Sequence, residues 1–147
     1  MNILVSACLL GNPCRYDGKS KPSEKVISLG KSHRLIPVCP EAAGGLSIPR
    51  TPCEIVGERV MSRAGVDCTA QYNKGAEVAL TLCKKYNCNC AVLKANSPSC
   101  SNCGVYDGTF SRTLITDKNG VTAELLLKNG IKVYNENEID SLVTDNA

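Results

Sequence analysis

Ten cysteines in a chain of 147 residues set the chemistry this protein has available. In a reducing compartment such thiols are buried hydrophobes, redox groups or metal ligands, and their positions sort them. Cys8 follows directly on the apolar run "NILVSA", Cys39 directly on "RLIPV", and Cys100 lies in the loop that leaves "CAVLK". Each run is short, apolar and bounded by Gly, Pro or Asn, the pattern of a buried strand. Ligands of open α/β sheets gather outside the carboxyl ends of the strands. Three thiols from three strand ends therefore meet on one rim if the strands are parallel neighbours. A carboxylate, Glu41, follows Cys39 closely in "VCPE".

The other thiols sort differently. Cys83 falls on the apolar stripe of a helix and reads as core. Cys88 and Cys90 stand at the entrance of their strand, on the opposite rim. Cys68 lies near a helix start and reads as packing, and Cys53 sits undecided in a proline-containing stretch. Cys14 and Cys103 are in loops on the favoured rim, each placed to serve as a fourth ligand or a resolving thiol.

Three thiolates suit a soft metal. Zinc is usually announced by two close Cys or Cys/His pairs. Here "CSNC" (Cys100 to Cys103) is one such pair, "CNC" is too tight to match it, and the single histidine, His33, precedes its strand on the wrong rim. An iron–sulfur cluster usually takes four thiolates. A cubane held by three would keep one iron open, as catalytic zinc keeps a position for water or substrate.

The elements that must position these groups are legible as periodicity. Strands are expected at Asn2 to Ala7, Arg34 to Val38, Cys90 to Lys94 and "IKVY" (Ile131 to Tyr134), with a short one near Arg112 to Ile115. Pro22 opens a short helix to about Leu29. Tyr72, Ala76, Ala79, Leu80 and Cys83 make one stripe of a helix from about Thr69 to Tyr86, with Asp67 or Thr69 as its cap. A further helix spans Thr122 to Lys128, stopped by Asn129-Gly130. Asn135 and Glu138 form a capping box for the last helix, "ENEIDSLV". Residues 40–58 read as a long loop. "YDG" occurs twice, at Tyr16 and at Tyr106, as turn chemistry. Strands alternating with helices, some strands continuously apolar, give an α/β fold: a single domain over 1–147 with a mostly parallel sheet flanked by helices, Rossmann-like and three-layered.

Composition narrows the function classes. A formal charge of +3, scattered along the chain, argues against a nucleic-acid surface. No stretch approaches the ~20 apolar residues that cross a bilayer. The apolar start "MNILVSACLLG" lacks the basic leader of a secretory signal, and the expectation is a cytoplasmic protein without a disulfide framework. The 4% aromatic content leaves the core to Ile, Leu, Val and Ala.

The segments "SACLLG" with "CRYDG", "VCPE" with "GGL" and "PR", then "SPSC", "YDGTF" and "GVTAELL" resemble the DUF523 family, which includes the bacterial thiouracil desulfidases. The resemblance runs from Met1 to about Tyr134. It implies a [4Fe-4S] cluster on Cys8, Cys39 and Cys100, an acid–base residue at Glu41, and Ser97 as a proton relay or substrate-orienting group. The implied activity is non-redox removal of sulfur from a thiocarbonyl small molecule, with release of sulfide. The family commonly reads "SPSCG", whereas this chain reads "SPSCSNCG": Ser101 replaces a glycine, and Cys103 adds a thiol able to cap the open iron. Arg15, Asp17 and Arg50 are candidates for fixing a polar substrate, and Asp17-Gly18 is equally a turn. Two other classes stand beside the enzyme: a sulfur carrier using the cluster or a persulfide on Cys14 or Cys103, and a small structural zinc protein.

Overall fold

The computed structural model describes residues 1–116 and 118–146. Its centre is a four-stranded parallel sheet built from β1 (Asn2–Ser6), β2 (Arg34–Val38), β5 (Cys90–Val92) and β8 (Lys132–Tyr134), in the order β2-β1-β5-β8. The register runs Leu4 against Ile36 on one side and Leu4 against Ala91 on the other. β1 is central, and its side chains alternate between the two faces as a strand requires. Ile3 and Val5 pack with Val26 and Leu29 of α1 (Glu24–Leu29) and with Ile139 and Leu142 of α5 (Ile139–Asp145). Leu4 faces the other way, onto Ala79 and Cys83 of α3 (Thr69–Lys85) and Ala123 and Leu126 of α4 (Val121–Lys128). The three layers follow directly, as the continuous apolar runs predict. Ile3, Leu4 and Val5 are fully buried, each contributing ~1.5–3 kcal/mol of burial.

Most expected elements are present, with ends displaced by a few residues. α1 starts after Ser23, whose Oγ accepts the Val26 N–H at 3.4 Å, so the cap rather than Pro22 sets the boundary. At α3, the Asp67 carboxylate accepts the Thr69 N–H at 2.9 Å. The last helix begins later than expected. Glu138 Oε1 accepts the Asn135 N–H at 3.0 Å and Asn135 Oδ1 accepts the Asn137 N–H at 2.8 Å. The box therefore closes a turn ahead of α5, which itself starts at Ile139.

The reading of residues 40–58 as loop is overturned. Pro40–Ala43 form a short helix, α2, and Cys53–Val56 and Arg59–Ser62 form an antiparallel hairpin, β3–β4, turning at Gly57 with φ +61°. The alternation in "CEIVGERVMS" was a usable signal, obscured by the prolines just ahead of it. A second small hairpin joins β6 (Val105–Tyr106) to β7 (Leu114–Ile115). Both hairpins stand above the carboxyl ends of the sheet and wall the site described next.

Candidate active site

β1 leads through α1 to β2 on one side of it, and the chain then returns through α3 to β5 on the other side. This reversal of winding opens a crevice outside the carboxyl ends of the strands. The crevice holds a cavity of about 310 Å³ whose lining includes Cys8, Cys39, Cys100, Cys14, Glu41 and Ser97. The rim trio thus meets in one place. Cys8 lies in a 3-10 turn directly after β1, ended by Gly11 at φ +98°. Cys39 is the residue that opens α2. Cys100 sits in a turn organised by Ser97, whose Oγ accepts the N–H groups of Ser99 and Cys100 at 3.1 and 3.0 Å. Ser6 Oγ, at the end of β1, accepts the Lys94 N–H at 3.0 Å and donates to Cys100 Sγ at 3.4 Å. One hydroxyl therefore ties the ends of β1 and β5 to the third thiol.

Glu41 is not a solvated loop acid. Its side chain is 13% exposed, and Arg50, itself 7% exposed, binds Oε2 through Nη2 at 2.6 Å and Nε at 2.9 Å. The other oxygen, Oε1, accepts from Ser97 Oγ at 3.4 Å. Arg50 also donates to the Cys14 carbonyl at 3.1 Å, and Cys39 Sγ lies 3.6 Å from that same carbonyl oxygen. Burial opposes the charge on Arg50, but Glu41 beside it more than compensates and raises its pKa. Two N–H donors converging on one oxygen fix the direction of the carboxylate.

Two glycines seat this arrangement. A Cβ on Gly75 of α3 would collide with the Pro40 carbonyl, and one on Gly44 would collide with the Gln71 carbonyl. Backbone meets backbone here, so α2 lies directly on α3 and carries Cys39 and Glu41 to a set depth.

The thiols differ in their readiness to ionise. A hydrogen bond from Cys14 is the main cause that pulls Cys39 down to about 6, helped by the Ala42 N–H against the cost of burial. Cys14 is correspondingly raised. Burial pushes Cys8 up to about 11 and Cys100 to about 12. Neutral buried thiols of this kind ionise when a metal takes them, releasing protons. Among the described residues no three His, Cys, Asp or Glu side chains stand close enough to share one metal ion. A tetrahedral zinc would need its sulfurs ~3.8 Å apart, given Zn–S bonds of about 2.3 Å. The trio lines one cavity, and Cys100 feels the charges of both Cys8 and Cys39. Soft donors spread around a common space suit a body in which each thiolate takes a different iron.

The remaining candidates separate cleanly. Cys14 is buried and lines the cavity, whereas Cys103 is exposed and does not. The additional "SN" ahead of Cys103 is structural: buried Ser101 donates to the Gly104 carbonyl, and Asn102 donates to the Val133 carbonyl at 2.9 Å and Glu138 at 2.8 Å. Asp17 is exposed and accepts the Lys19 N–H at 3.0 Å, which is the turn role. Arg15 lines the cavity with its guanidinium 5.8 Å from the Tyr16 ring centre. Cys53 and Cys68 join a small third core with Tyr72 and Val105. His33 contacts the amino group of Met1 at 3.1 Å, at the far rim. All ten cysteines are free thiols.

Sequence reasoning missed three contributors. Lys94, half-buried at the cavity, pairs with Glu136 at 2.9 Å, and Glu136 also accepts the Ala95 N–H at 2.8 Å. Glu54 on β3 is 7% exposed and holds the loop of the second hairpin. Phe110 comes from that loop and lines the cavity. Without β3 in view, nothing in the sequence marked Glu54 as inward.

Fold and site together define a three-layer α/β protein with a thiol-lined cavity at its strand ends and a gripped carboxylate beside the thiols. Residues 3–138 match the family model described as 2-thiouracil desulfurase, and the chain belongs to that family. It is 40% identical over 151 residues to the uncharacterized protein YbbK of Bacillus subtilis (strain 168), covering 96% of this chain and 99% of YbbK. Among solved structures it resembles the [4Fe-4S]-dependent thiouracil desulfidase TudS (DUF523Vcz). The two superpose with a TM-score of 0.93 at 43% identity, over 98% of this chain and 96% of that one. The DUF523 resemblance and the α/β sheet flanked by helices both stand.

Proposed function

We propose that this protein is a desulfidase of the reducing cytoplasm that holds a [4Fe-4S] cluster on Cys8, Cys39 and Cys100 and removes sulfur from a thiouracil-like small molecule. The observation that carries the reading is the convergence of those three thiols in one cavity with Glu41 and Ser97. The name of the TudS neighbour supports the cofactor and the substrate class.

When bound, the cluster supplies a thiophilic, Lewis-acidic iron suited to polarising a C=S bond. The side chains then account for the proton traffic. Arg50 occupies Oε2 of Glu41 twice over, which leaves Oε1 as the oxygen that takes a proton from the attacking water. Ser97 donates to that oxygen and relays the proton onward to the departing side. The balance is C=S plus water giving C=O plus hydrogen sulfide, with no net change of oxidation state. Arg50 keeps the carboxylate oriented through the cycle.

Anaerobic reconstitution with iron and sulfide tests the reading. The expected result is a brown protein that frees sulfide from 2-thiouracil. Labelled sulfur that stays on the protein after gel filtration, with no free sulfide, would replace the enzyme by a sulfur carrier.

A further inference from the structure

The chain has five tyrosines and one phenylalanine, and Tyr16, Tyr72, Tyr106 and Phe110 all line the cavity that holds the three thiols. Four of the six rings in a chain poor in aromatics thus border this space. Three of the four have other duties. Tyr72 is 1% exposed within the third core, Tyr16 lies beside Arg15, and Tyr106 is in β6. Phe110 has no polar handle and belongs to no strand.

Its backbone is held in an unusual way. Phe110 and Arg112 have φ values of +60° and +62°, the left-handed region that side chains avoid. Gly108 is at φ +92°, and a Cβ there would stand 2.8 Å from the Ile55 carbonyl oxygen. The buried Glu54 carboxylate secures this turn, with Oε1 accepting the N–H groups of Gly108 at 3.0 Å and Phe110 at 3.1 Å. Arg63 donates to the Phe110 carbonyl at 3.5 Å. A buried acid spent on two loop amides is costly unless the loop's position matters, and over-determined strain of this kind collects at ligand clamps.

We infer that Phe110, set in the cavity wall by the Glu54 clamp, is the specificity-determining residue that selects a flat heteroaromatic ring over a puckered one of the same polar groups. The inference rests on the desulfidase reading of the cavity. Phe110 shares the cavity lining with Glu41 and Ser97, so a ring whose polar edge meets those two can offer its face to an aromatic wall, where offset stacking contributes. Glu54 acts through Phe110 and is a positioning residue.

The test is equilibrium dialysis of cluster-loaded protein against uracil and 5,6-dihydrouracil, which share polar groups and differ in planarity. Wild type should favour uracil. Phe110→Leu should weaken uracil binding about tenfold and leave dihydrouracil within about twofold, and Phe110→Tyr should restore the preference. Glu54→Ala should copy Phe110→Leu and speed amide exchange at Gly108 and Phe110, while Glu54→Gln, which keeps an acceptor oxygen, should not. An equal loss for both ligands, or none, overturns the inference. Sulfide release from 2-thiouracil is measured beside it: release with a Phe110-indifferent preference sinks only this inference. No release with a Phe110-dependent preference sinks only the desulfidase reading.

Discussion

The two rims of the sheet use the same residue for opposite ends. At the carboxyl rim, Cys8, Cys39 and Cys100 share a cavity with Cys14, an ion pair and a hydroxyl. At the amino rim, Cys83 and Cys90 are 3% and 1% exposed, and Cys83, Cys88 and Cys90 all pack among Ile, Leu, Val and Ala of the two main cores. The difference is not the thiol but what surrounds it. Beyond the carboxyl ends the chain forms α2, the two hairpins and the Ser97 turn, which bring polar groups. The turn after α3 lies against the start of β1, where Asn2 donates to the Tyr86 carbonyl. A cysteine count therefore locates nothing until the polar company of each thiol is known.

The sharpest way to break this contrast is to remove one thiol from each rim. Cys100→Ala should abolish stable iron and sulfide loading on reconstitution, whereas Cys90→Ala should load as wild type does, read as iron per chain and visible absorbance. Equal loading by both variants would erase the distinction. Next in size, Glu41→Gln should lower sulfide release from 2-thiouracil by about a hundredfold with the cluster still loaded, the loss usual for a positioned proton carrier.

A smaller effect separates the rims without any metal. Cys39 is drawn down to about 6 and Cys90 pushed up to about 11. Cluster-free protein exposed to iodoacetamide at pH 7 should thus be alkylated at Cys39 roughly fiftyfold faster than at Cys90, after allowing for the weaker nucleophilicity of the more acidic thiol. The Cys39 rate should climb through about pH 6 and then level off, because its thiolate is complete above that point. The Cys90 rate should still be climbing as pH approaches 11. Peptide mass spectrometry reads both. Smallest in energy, Gly75→Ala should destabilise the fold by about 1–3 kcal/mol in urea titration, since α2 must lift off α3. It should also impair iron loading, because Cys39 rides on α2.

Much of this was legible in advance, and the limits were physical. Strand ends are marked by apolar runs that stop at Gly, Pro or Asn, so the shared rim of Cys8, Cys39 and Cys100 followed from parallel topology alone. The turn role expected of Ser97 is present in its two accepted N–H bonds, and its hydroxyl also reaches Glu41. The β3–β4 hairpin was lost because proline weakens every local signal near it. Arg50 stood among the candidates for fixing a polar substrate, and nothing local says that it reaches back to Glu41 instead. Choosing between Cys14 and Cys103 was equally beyond local pattern: both are loop thiols, and only packing shows one turned into the cavity and the other left at the surface.

The sequence by itself determined the layers, the order of strands and helices along the chain, and which thiols leave strands at their carboxyl ends, because those depend on periodicities read over a few residues. Tertiary structure alone decided that Arg50 holds Glu41, that α2 meets α3 closely at Gly44 and Gly75, and that Glu54 reaches across to the Phe110 turn. These are contacts between separate elements, from 9 positions apart for Arg50 and Glu41 to 56 for Glu54 and Phe110. Their free energy depends on burial and direction, which exist only once the layers have closed.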